Sequence, residues 1–132
     1  MALTDYVTGI QHVGIPSKDL DVTIAFYKKL GFKVAGLFHN GENRCAFLQL
    51  GNYVIETWEG DPVVEKTGAI NHCSLNTTDV DKAFEAVKKL DGVTVLDDEI
   101  QSIPSFWKHG IRFFNILGPN HEKIEFCEKL AQ

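Results

Sequence analysis

The strongest constraint on what this chain can fold into is that it is written twice. "GIQHVGIP" at residues 9–16 returns as "AINHCSLN" at 69–76, with a histidine at the same place in each copy. At the same offset of sixty residues, Asp19 matches Asp79, Asp21 matches Asp81 and Leu30 matches Leu90. Coincidence does not produce such a set at one spacing.

Each half reads as a strand, a helix and further strands. "IQHVGI" and "INHCSL" alternate around their histidines like strands buried on both faces. "SKDLDVTIAFYKKLGF" and "TTDVDKAFEAVKKLDG" read as helices. Early Asp residues suit their N-terminal ends, and Leu20, Ile24 and Tyr27, or Val80, Phe84 and Val87, recur at helical spacing. A Lys pair and a Gly close each one. "FKVAGLF", "RCAFLQL" and "YVIETW" follow in the first half, with "HNGEN" and the tight "GN" as turns. "VTVLDDEI", "GIRFFNIL" and "KIEFCE" follow in the second. The expected fold is α+β, two βαβββ modules at about 7–59 and 68–129 within one domain of residues 1–132, joined by "EGDPVVEKTG". Curved sheets around a central metal cavity, with the helices outside, are the expected layout.

With 132 residues, 44% of them hydrophobic, the chain buries a core without disulfides or structural metal. Its formal charge of -5 and lack of a basic run argue against nucleic acid as a partner. "MALTDYVTG" lacks a signal-peptide pattern and no apolar run approaches a membrane span, so the reading is cytoplasmic, with no membrane partner. Cys45, Cys73 and Cys127 have no CxxC spacing and read as reduced thiols.

Strand alternation assigns the faces. Tyr53, Ile55 and Thr57 fall on one side of their strand, and Val54, Glu56 and Trp58 on the other. In the last strand, Ile124 and Phe126 oppose Lys123, Glu125 and Cys127. With the apolar residues packed under the helices, His12, Glu56, His72 and Glu125 point to the opposite surface and share a cavity if the sheets curl around it. Two carboxylates amid apolar strand residues need a partner that neutralises them. Salt bridges from Arg44 or Arg112, the only arginines, are one answer. A divalent cation is the other: two imidazoles and two carboxylates give a neutral N2O2 set suited to Zn, Ni, Co, Mn or Fe, one ion per site, with positions open to water or substrate.

At these residues the chain resembles the vicinal oxygen chelate superfamily, which includes glyoxalase I, extradiol dioxygenases, methylmalonyl-CoA epimerase, fosfomycin-resistance enzymes and bleomycin-binding proteins. The resemblance spans nearly the whole chain and is carried by "IQHVGIPSKDLDVTIAFYKKLGF", "VIETW", "INHCSLNTTDVDKAFEAV" and "GPNHEKIEF". It implies metal ligands at His12, Glu56, His72 and Glu125, a set most similar to that of glyoxalase I (lactoylglutathione lyase). The implied reaction is isomerisation of a hemithioacetal through a metal-stabilised enediolate, with Glu125 or Glu56 as base and Glu125 favoured. Two departures stand out. Pro16 occupies the place where bacterial glyoxalase I commonly has an Arg that helps hold glutathione, and His121 sits at a turn position suited to Gly.

"QSIPSFWKHGIRF" has no counterpart in the first half. Phe106 and Trp107 there could cover an apolar part of a substrate, and Lys108, His109 and Arg112 could hold a carboxylate or phosphate. The alternative is a loop that plugs the end of the sheet. Trp58 reads as a pocket wall on the Glu56 face. His39 and His121 read as solvated turn residues, and the Lys pairs as helix-dipole partners. The leading reading is a metal-dependent lyase or isomerase acting on a small-molecule substrate. The alternatives are an epimerase or isomerase of another small anionic metabolite, and a non-catalytic binding or resistance protein, with thiol-transfer resistance enzymes also in view. A homodimer is expected, in which a crossed arrangement would bring His12 and Glu56 to His72 and Glu125 of the partner subunit.

Overall fold

A computed structural model describes residues 2–131 and divides into two compact units, one ending at Pro62 and the other beginning at Val63. The division falls inside the stretch expected to link the modules. A 3-10 turn at Leu3–Asp5 precedes the first unit's elements: β1 (Val13–Pro16), α1 (Leu20–Lys29), β2 (Lys33–Asn40), β3 (Asn43–Leu50) and β4 (Tyr53–Trp58). Their sheet has the order β1-β4-β3-β2, with β1 parallel to β4 and the rest antiparallel. The second unit repeats the plan with β5 (Cys73–Asn76), α2 (Val80–Lys88), β6 (Thr94–Val95), β7 (Gln101–Ile103), β8 (Ile111–Leu117) and β9 (Lys123–Lys129). Its order is β5-β9-β8-β6, with β7 also paired to β8. The α+β reading and the two βαβββ-type modules therefore hold.

The helices begin where the repeated Asp residues stand. Asp19 Oδ1 accepts the Val22 N–H at 3.2 Å and Asp79 Oδ1 accepts the Lys82 N–H at 3.0 Å, so each satisfies a donor that the first helical turn leaves open. Gly31, at φ 98°, ends α1: its N–H reaches Lys28 O at 3.0 Å while the Phe32 N–H reaches Tyr27 O at 3.0 Å. That pair of bonds needs a left-handed residue, which glycine adopts without strain. One face of each helix lies on its sheet. Leu20, Phe26 and Tyr27 are buried with Ala46, Leu48 and Ile55, and Val80, Phe84 and Val87 with Phe114, Ile116 and Ile124. The Phe114 ring stacks on Phe126 at 4.8 Å and meets Phe84 edge-on.

Three expectations need correction. β1 and β5 are not buried on both faces, because Gly14 and Ser74 are exposed on the side away from the helices. "VTVLDDEI" is not one strand. The ladder to β8 breaks after Val95 because the Asp97 carboxylate itself accepts the Asn115 backbone N–H at 2.7 Å and the Asn115 Nδ2–H at 3.1 Å, taking the place of a strand carbonyl. Part of the segment read as an insertion is also strand, since β7 resumes the pairing with β8 at Gln101.

Candidate metal half-sites

Register sets the chemistry on the face opposite each helix. Gly14 lies beside Glu56 in the parallel pair of β1 and β4, and Ser74 lies beside Glu125 in that of β5 and β9. Each histidine stands two residues before that point, hence on the same face, just ahead of its strand. His12 Nε2 lies 3.7 Å from Glu56 Oε1, and His72 Nε2 lies 3.9 Å from Glu125 Oε2. The four side chains are partly exposed, Glu125 least at 14%.

Both gaps are too long for a hydrogen bond. Both are shorter than twice a metal–ligand bond of about 2.1 Å, so one cation can touch both atoms of a pair. The opposite ring nitrogens are engaged: His12 Nδ1 is 2.9 Å from Gln11 Oε1, and His72 Nδ1 is 2.9 Å from Asn71 Oδ1. An amide oxygen has no proton to give, so these contacts suit the tautomer with the hydrogen on Nδ1 and the lone pair on Nε2. In each unit that tautomer sets a lone pair facing a carboxylate across a gap that a cation fits. Within neither unit does a third His, Cys, Asp or Glu complete a metal-binding group among the described residues.

The surroundings of the two carboxylates differ. The Ser74 hydroxyl donates to Glu125 Oε1 at 2.7 Å. Gly14 offers Glu56 nothing, and a Cβ there would stand 3.1 Å from the Trp58 ring. Beside Glu56 lies the Cys45 thiol, which burial and then the Glu56 charge push up; burial and then Glu125 do the same to Cys127. The Phe47 ring meets His12 edge-on at 5.7 Å. A cavity of about 320 Å³ is lined by Glu56, Cys45, Trp58, Asn40 and Asn43, and the Trp58 indole N–H donates to Asp61 at 2.5 Å.

Arg44 and Glu59 line that cavity too, but the guanidinium bonds of both arginines go to carboxylates other than Glu56 and Glu125. Arg44 grips Asp21 with two bonds of 3.0 and 3.2 Å and also binds Glu59 at 2.7 Å, holding both carboxyls below their usual range. Arg112 grips Asp81 at 2.7 and 2.9 Å with the same effect. Asp21 and Asp81 lie in the first turns of α1 and α2, so both guanidinium groups turn to the helix side. Arg112, read from the sequence as a candidate anion contact, is thus paired with Asp81, and the bonds of both arginines do not reach Glu56 or Glu125. Phe106 and Trp107 stand on the loop between β7 and β8, 49% and 66% exposed, with Lys108 exposed beside them. Trp107 has φ 55° and the Lys129 ammonium lies 3.8 Å from its ring centroid. His121 has the left-handed φ of 61° read from its turn, and its Nδ1 lies 2.8 Å from Glu65 O.

Sequence reasoning missed Gln11, Asn71 and Ser74. The amides were findable, because they hold the same offset as the histidines that follow them.

Among curated proteins, the chain is 32% identical over 127 residues to the uncharacterised protein YwbC of Bacillus subtilis (strain 168), covering 91% of this chain and 97% of that one. Its fold is that of a glyoxalase family protein from Enterococcus faecalis (TM-score 0.75, 20% identity, 93% of this chain and 99% of that one). It is also that of the fosfomycin resistance protein FosX from Listeria monocytogenes, solved with Mn(II) and sulfate (TM-score 0.68, 19% identity, 95% of each chain). Residues 9–126 match the family model, and the chain belongs to the Glyoxalase/Bleomycin resistance protein/Dioxygenase superfamily.

Proposed function

We propose that this chain is a metal-dependent lyase or isomerase of the glyoxalase I type, acting on a small α-hydroxy-carbonyl or hemithioacetal substrate. Its metal ligands in this reading are His12, Glu56, His72 and Glu125, holding one divalent transition ion, Ni, Zn, Co, Mn or Fe. The carrying observation is the imidazole Nε2 that faces a carboxylate oxygen in each unit, 3.7 and 3.9 Å apart. The Mn(II) in the Listeria relative supports a divalent ion on this fold.

When bound, the ion supplies Lewis-acid polarisation of a substrate oxygen. The protein's own task is proton transfer: a carboxylate takes a proton from the carbon beside the polarised group and returns it to the adjacent carbon. Glu125 is the favoured base. Ser74 holds Oε1, so Oε2 on the His72 side would be the oxygen that serves as ligand and, when displaced from that position, takes the proton. The cavity beside Glu56 is at the small end of ligand pockets, which suits a small metabolite. Trp58 walls it, and Phe106, Trp107 and Lys108 are proposed to contact the substrate from their loop. Pro16 in place of the glutathione-holding Arg supports a substrate other than the glutathione adduct. A homodimer is part of the same proposal, and sedimentation at micromolar concentration tests it.

The test is metal content of purified protein beside Glu56→Gln and Glu125→Gln, followed by turnover of methylglyoxal with glutathione. About one ion per chain, lost in the variants, with turnover, supports the reading. Metal without turnover keeps the ligands and redirects the substrate search. No uptake after reconstitution with each candidate ion refutes it.

A further inference from the structure

We infer that Gln11 and Asn71 are positioning residues that fix the tautomer of His12 and His72 and aim each Nε2 at its glutamate. The inference rests on the proposed metal reading and adds to it the groups that set the ligands.

Neutral imidazole has one nitrogen that donates and one that can ligate a metal, and the hydrogen bond at the first decides which is which. Gln11 Oε1 and Asn71 Oδ1 each stand 2.9 Å from Nδ1, a distance for a full N–H···O bond. Neighbours in a regular strand point to opposite faces, so a residue could not ordinarily bond the side chain that follows it. Here β1 starts at Val13 and β5 at Cys73, one residue after each histidine. Both amide–imidazole pairs thus lie just outside the pleat, where the chain is free to curl the preceding side chain back. The arrangement occurs in both units with amides of different length, so it follows from the position in the repeat and not from one rotamer.

Gln11 and Asn71 are exposed and absent from the core, so substitution leaves folding intact. The experiment compares metal-free wild type with Gln11→Leu and Asn71→Leu by long-range proton–nitrogen NMR, under conditions that leave imidazole neutral. Zn²⁺ and Ni²⁺ affinities are then measured by chelator competition. The expected result is a pyridine-type Nε2 at both histidines in wild type, mixed tautomers at the altered site in each Leu variant, and affinity lowered about 10- to 100-fold. Gln11→Asn and Asn71→Gln, which keep the acceptor, should recover most of the affinity. Unchanged tautomers in the Leu variants, or a pyridine-type Nδ1 in wild type, overturn the inference while leaving metal binding as measured. Wild type that binds neither ion overturns the metal reading, and the NMR result then decides by itself whether the amides orient the rings.

Discussion

The Ser74 hydroxyl holds Glu125 through a 2.7 Å hydrogen bond, and the matching position in the first unit is Gly14, which holds nothing. Two carboxylates that look equivalent in the repeat are therefore restrained differently. Under the proposed function, Ser74→Ala frees Oε1 and lowers kcat/KM by about tenfold, while Ser74→Thr retains most activity. Steady-state kinetics of the three proteins with a turned-over substrate checks this. Equal activity in Ser74→Ala would remove the hydroxyl from the machinery.

Gly14→Ala tests the close approach of Trp58. The added methyl meets the indole at 3.1 Å, so the ring must shift or the strand must move. The expected loss is about 1–3 kcal/mol of stability, with a change in tryptophan emission. Urea titration followed by fluorescence reads both.

Acid should loosen the helix side of each sheet. Asp21, Glu59 and Asp81 have pKa values lowered in the folded state by hydrogen bonds to Arg44 and Arg112. Folded values below the unfolded ones mean that this stability is present above the ordinary carboxylate range and is lost as pH falls through the folded values. The melting temperature should fall below about pH 4. Asp21→Asn and Asp81→Asn should each flatten that acid limb and lower the melting temperature at pH 7. Scanning calorimetry across pH measures the limb.

Asp97→Ala leaves the Asn115 N–H and amide without their acceptor at a buried position, where Asn115 Oδ1 already lacks a partner among the described residues. A destabilisation of about 1–3 kcal/mol is expected. Asp97→Asn should recover part of it, because its carbonyl oxygen still accepts. Denaturant midpoints at constant slope provide the comparison.

The repeat made much of the structure legible. The matched Asp residues marked both helix starts, and alternation around Ile55 and Ile124 placed each Glu on the face of its His. What stayed hidden involves side chains reaching across sequence. Asp97 acts on Asn115, eighteen residues away, and breaks a strand that composition alone would continue. The kinship of Arg44 and Arg112 was masked by the extra residues before β8, which shift them off the sixty-residue offset, so Arg112 read as a substrate contact. Their register beside Glu59 and Glu128 shows them to be the same structural element.

Each sheet thus divides its obligations between its two sides. Helix caps and arginine clamps lie on the helix side with the larger share of the buried apolar residues, while the opposite side holds the His and Glu of each copy. Between the copies that outer side has already exchanged Gly14 for Ser74, Trp58 for Cys127, and Phe47 for Asn115, while keeping a His and a Glu. The two copies therefore set the same His and Glu in different surroundings, so the halves of the chain are equivalent in frame and unequal in chemistry.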